Sequence, residues 1–193
     1  MIIDNAVIYI LQKPSIYKAL HESNRLLAEQ LGQFQFIAIV VVGPLIEELV
    51  FRLPLNGKRS FLGFSLSLAF FLLGGFYSLG SAQLDHKLSV GIITSLVFYF
   101  FLMLFFSKKR FTEQNRDSYI KLLFYVSTVL FALSHISNFK PLQYSLIWLY
   151  PVYVLPQFIM GVGFAFARMR YGFGWAILLH MLVNTPFTII NYL

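Results

Sequence analysis

The chain has 193 residues, of which 58% are hydrophobic and 12% charged, with a mean hydropathy of +0.72. Soluble globular domains carry about 25% charged residues, so composition excludes that class and points to an all-α, polytopic transmembrane helical bundle forming one domain over 1–193. Fifteen Lys and Arg against eight Asp and Glu give a net +7, but the basic residues cluster between apolar runs, as topology determinants do, which argues against nucleic acid as a partner.

In chain order, residues 1–32 mix polar and apolar types and include Lys13, Pro14, Lys18 and Arg25. They read as an amphipathic, interfacial lead-in with no cleavable signal. Six apolar segments come next, at about 34–55, 60–79, 88–107, 119–138, 143–167 and 173–192. A membrane crossing needs roughly 20 residues, so each segment is a predicted span. The fifth contains Pro151 and Pro156, which predicts a kinked or broken helix. The longest polar stretch is 108–121. With six spans, one side receives ten basic residues: Arg52, Lys58, Arg59, five from the 108–121 cluster, Arg168 and Arg170. The other side receives five: Lys13, Lys18, Arg25, Lys87 and Lys140. The positive-inside bias therefore places the loops after spans one, three and five in the cytoplasm, with both termini opposite.

The absence of cysteine excludes disulfides, thiolate metal sites and a cysteine nucleophile. The ionisable residues within the spans are few, and a charged group at membrane depth is expensive unless paired or facing water. Glu47 and Glu48 lie in the first span, and Arg52 comes one helical turn after Glu48, so those two can pair. Glu47 is rotated by about 100° from Glu48 and can face a cavity instead. His135 ends FALSH (131–135), with Phe131 on its face. His180 and Asn184 share a face in HMLVN (180–184). Measured from the cytoplasmic ends, Glu47, His135 and His180 lie about 12–24 Å deep, depths that tilt and kinks can bring level.

No serine or cysteine nucleophile with a neighbouring base is evident. A carboxylate and a histidine can instead hold and deprotonate a water, while His180 and Asn184 donate to an oxyanion. Intramembrane hydrolysis of an amide would result. Zinc on Glu47, His135 and His180 is the competing use of the same residues. Each polar residue taken singly also has a bland reading as a helix-packing hydrogen bonder.

EELVFR (47–52), FALSH (131–135) and HMLVN (180–184) resemble, in order, the EExxxR, FxxxH and HxxxN signatures of the CAAX protease and bacteriocin-processing family. The glycine-rich stretch 161–180 resembles that family's lead into its last motif helix. The resemblance implies a membrane-embedded, glutamic-type endopeptidase in which Glu47 and His135 activate water. It also implies that Glu48 is partnered by Arg52 and that His180 and Asn184 stabilise the oxyanion. It favours no bound metal and no cofactor. Its partners would be the lipid bilayer and a peptide or protein substrate at the membrane, either a lipidated CAAX-type tail or a leader or signalling peptide. It points to a bacterial cytoplasmic membrane. One departure is the 86 residues between Glu48 and His135, which insert two apolar segments before the histidine helix. The alternative function is a non-proteolytic scaffold or bacteriocin-immunity protein; a proton-coupled carrier is disfavoured by the lack of a visible inverted repeat.

Overall fold

A computed structural model describes residues 2–75, 84–105 and 113–192, and every regular element among them is helical. The lead-in forms α1 (Ile2–Tyr9) and α2 (Ile16–Leu31). On the outer face of α2, Arg25 pairs with Glu22 and Glu29, each at 2.6 Å. A 3-10 turn at Gly32–Phe34 leads into α3 (Gln35–Ile37), a π-turn at Ala38–Val42 and α4 (Gly43–Phe51). The regular helix of the lead-in ends at Leu31, and Gly32, with a φ of +50°, begins the turn into the first apolar segment.

After a 3-10 turn at Leu53–Asn56 come α5 (Arg59–Phe70), α6 (Leu84–Phe105) and α7 (Glu113–Ser134). The last ends in the 3-10 turn His135–Asn138. The expected broken fifth helix is observed. A 3-10 segment, Tyr144–Leu149, and α8 (Tyr150–Tyr153) meet α9 (Leu155–Tyr171) at a bend of 42°. Pro151 and Pro156 each sit at the start of a helix, where a missing N–H costs nothing. α10 (Phe173–Tyr192) closes the fold.

Where described, each of the six predicted segments is mainly helical, but they do not all have the length of a crossing. Ile16–Phe51 and Arg116–Asn138 are long and apolar enough, and the bent pair makes a third. Arg59–Leu73, Leu88–Leu104 and Phe173–Ile189 are shorter apolar helices. The ends of the second and third predicted spans, and Lys108, Lys109 and Arg110 of the polar cluster, lie outside the described residues. Many large apolar side chains remain exposed, as expected of a surface facing lipid.

α4 is the centre of the arrangement, packing on α5, α7 and α10, while α9 lies against both α7 and α10. α1 is fixed from the other side. Val7 and Ile16 pack with Ala132, Phe139, Leu146, Tyr150, Tyr153 and Val154 in one buried cluster, with Ile136 against it. Asp4 anchors that contact. Its carboxylate accepts hydrogen bonds from Ser15 Oγ (2.7 Å), the Ile16 N–H (2.9 Å), the Tyr17 N–H (3.3 Å) and Tyr153 Oη (3.1 Å). Burial pushes the Asp4 carboxyl up, but these donors together outweigh it and hold the pKa below the ordinary aspartate value. A depressed folded-state pKa gives stability that is complete above the unfolded value and lost as pH falls through the folded one. We therefore expect acid destabilisation beginning below about pH 4, with Asp4→Asn removing that step from thermal melts recorded against pH. An unchanged acid limb in the variant would assign the step to another carboxylate.

Candidate active site

The path of α4 starts with a proline. Pro44 has no N–H and its ring crowds the carbonyl one turn back, so the preceding turn widens to the π form, with Gly43 N–H reaching Ala38 C=O. The Ile39 carbonyl, five residues before Pro44, is then left without its helical donor. Asn184 Nδ2 supplies one at 3.1 Å, binding α10 to this turn. Asn184 was expected to donate to an oxyanion; this amide hydrogen is committed to Ile39.

One turn further on, the two glutamates separate. Glu48 is fully buried and Glu47 retains a third of its exposure. Glu48 Oε2 lies 3.9 Å from Arg52 Nε, and its Oε1 is 3.0 Å from His180 Nδ1. The expected Glu48–Arg52 pair is present but shared with His180. Arg52 is also fully buried. Its Nη2 donates to Gly161 C=O at 3.1 Å, and its guanidinium lies over the Phe131 ring at 4.2 Å. Arg168 Nε donates to the Arg52 carbonyl (3.2 Å), tying α9 to the end of α4.

Gly161 is where α9 approaches most closely. A β-carbon there would stand 2.9 Å from Phe131 Cδ1 and 3.0 Å from Arg52 Nη2, so the position admits only glycine without displacement. One turn along α9, Phe164 stacks on the His180 ring at 4.3 Å with 20° between planes. Phe131 meets His135 edge-on at 4.7 Å, as the shared face predicted, and also reaches His180 at 5.7 Å. Gly161, Phe164 and Arg168 are the site neighbours that sequence reasoning did not single out. The one available signal was their shared face in the glycine-rich segment, at the three- and four-residue spacing of a helix.

The histidine tautomers are set by their partners. His135 Nδ1 lies 2.8 Å from the Phe131 carbonyl, which can only accept, so Nδ1 carries the hydrogen. His180 Nδ1 faces the Glu48 carboxylate, which likewise calls for a hydrogen there. When both rings are neutral, each Nε2 is an acceptor. The two point at the same atom, Glu47 Oε2, at 4.0 Å from His135 and 3.6 Å from His180. These gaps exceed a direct hydrogen bond and are short enough for one water to touch all three. Three acceptors facing one point repel unless a donor or a cation lies among them. Among the described residues, no group of three or more His, Asp or Glu has the arrangement of a metal site.

Fold and site together define an integral membrane protein of packed helices with an acid–histidine centre. A family model described as type II CAAX prenyl endopeptidase Rce1-like matches residues 30–186, and the chain belongs to that family. It is accordingly a membrane protease of the CAAX type, with a peptide or protein substrate at the membrane. No curated protein and no solved structure matches the chain.

Proposed function

We propose that this protein is a glutamic-type intramembrane endopeptidase in which Glu47, His135 and His180 hold and deprotonate the attacking water. The observation that carries this reading is the convergence of both Nε2 atoms on one oxygen of Glu47. A water placed there donates its two hydrogens to two of the three acceptors and turns a lone pair outward, the geometry a general base requires. Protonated on Nε2 after the transfer, a histidine can pass that proton to the leaving amine. Glu48 and Arg52 are positioning residues: Glu48 fixes the His180 tautomer and Arg52 offsets its charge. The second amide hydrogen of Asn184 is the donor we assign to the oxyanion, with the first held by Ile39. We assign six crossings to the chain, the three shorter helices spanning with help from their neighbours and from local thinning of the bilayer. The substrate we assign is a lipidated CAAX-type tail, in keeping with the family's name.

The test is cleavage of a fluorogenic, prenylated tail peptide by the purified full chain in detergent, with and without a chelator, beside Glu47→Gln. Activity that resists the chelator and falls by about a thousandfold in the variant is expected. Loss with the chelator, restored by zinc, would transfer the same three side chains to a metal. Full activity in folded Glu47→Gln would remove the glutamate from the mechanism.

A further inference from the structure

At the end of the bundle where α5 starts, α6 finishes and α7 begins, an open cleft of about 760 Å³ lies apart from the acid–histidine centre. That volume is within the roughly 300–1,000 Å³ of ligand sites. Its lining divides by chemistry. Lys58, Arg59 and Arg116 form a basic rim, and Tyr99, Phe100 and Met103 form an apolar wall; among the described residues that line it, none is acidic. The turn that carries Lys58 is set by Gly57, whose φ of +76° suits glycine and whose missing side chain leaves room for Ile120, with Arg116 Nε next to it. The start of α5, the positive end of its dipole, adds to the same field.

The wall does not stop at the cleft. Ile93, Val97, Phe100 and Leu104 are all strongly exposed and succeed one another at helical spacing along α6. They make a single apolar stripe about 16 Å long, close to the depth of one leaflet of a roughly 30 Å hydrocarbon core. A basic rim above an apolar stripe of one-leaflet length matches an amphiphile with an anionic head. The basic-residue bias of the loops puts this end in the cytoplasm, against the leaflet that carries anionic lipid.

From this we infer that the cleft is a binding site for an anionic phospholipid, its phosphate held by Lys58 and Arg116 and one acyl chain lying along the α6 stripe. Phosphate is the shared chemistry of a lipid headgroup and a free anion, and the stripe selects the lipid. Occupancy would tie the α4–α5 turn to the start of α7, the helix that ends at His135, without touching the reacting groups.

The experiment is calorimetric titration of the full chain in a neutral detergent with short-chain phosphatidylglycerol, phosphatidylcholine of the same chain length, inorganic phosphate, and a farnesylated peptide with a free carboxylate. Phosphatidylglycerol should bind with measurable heat where phosphatidylcholine and inorganic phosphate do not, and the peptide should bind without displacing it. Lys58→Ala with Arg116→Ala should weaken it about thirtyfold, at roughly one surface-charge increment per residue. Lys58→Arg with Arg116→Lys should retain binding, which separates charge from folding. Lys13→Ala with Lys18→Ala, at the other end of the chain's topology, should leave it unchanged. Equal binding of phosphatidylcholine, or undiminished binding to the double alanine variant, would overturn the site. Displacement by phosphate at similar concentrations would reduce it to a small-anion site, and displacement by the peptide would make it part of the substrate path.

Discussion

Arg52→Leu is expected to cost about 3–5 kcal/mol of stability, the range seen when one member of a buried ion pair is removed. Three contacts vanish together: the approach to Glu48, the hydrogen bond to Gly161 C=O and the stacking over Phe131. The larger part of the loss comes from the carboxylate that stays behind. Glu48 is fully buried, and without the guanidinium it keeps its 3.0 Å contact with the His180 ring and the more distant charge of Arg168. Glu48→Gln should therefore recover much of the deficit when combined with Arg52→Leu, because the double variant buries no unpaired charge. Thermal or denaturant melts of the three variants in one detergent measure this coupling. If Arg52→Leu melts with the parent protein, the pair is solvated and the buried picture is wrong.

The second large effect is kinetic. His135→Ala and His180→Ala should each lower kcat by about two to three orders of magnitude, and pairing either with Glu47→Gln should add little further loss. Groups that act on a single water fail as a unit, so the first substitution already removes most of the benefit the second would. Independent multiplication of the losses would assign the histidines to separate steps. His180 should also differ from His135 in stability. Its ring is buried, hydrogen-bonded to Glu48 and stacked on Phe164, whereas His135 is more exposed and hydrogen-bonds through Nδ1 to its own helix.

Much of this centre was legible in the sequence because helical spacing fixes which side chains share a face. The four-residue interval from Glu48 to Arg52, the 100° offset of Glu47 and the Phe131–His135 face all derive from it. The break at Pro156 was equally local. The remaining features depend on contacts between residues far apart in the chain. His180 lies 132 residues from the carboxylate that fixes its tautomer, and Gly161 lies 109 residues from the arginine it receives. Nothing in 1–32 announced that Asp4 would be held by Tyr153, 149 residues away. The span count was the weakest reading, since an apolar run reports composition while the crossing length of Arg59–Leu73 or Phe173–Ile189 depends on where the helix ends.

The π-turn at Ala38–Val42 makes the aim of Glu47 a matter of counting as well as chemistry. A π-turn holds one residue more than the same stretch of α-helix, and each residue rotates the rest of the helix by about 100°. Pro44→Ala would restore the missing N–H and let these five residues close as α-helix, turning everything after them by about 100°. Both carboxylates would keep their identity, their spacing to Arg52 and their depth, while Glu47 swung away from the two imidazoles towards a neighbouring helix. A substitution one turn before Glu47 is then expected to cost as much cleavage as Glu47→Gln, whereas deleting one residue of the turn in the same variant should return the aim.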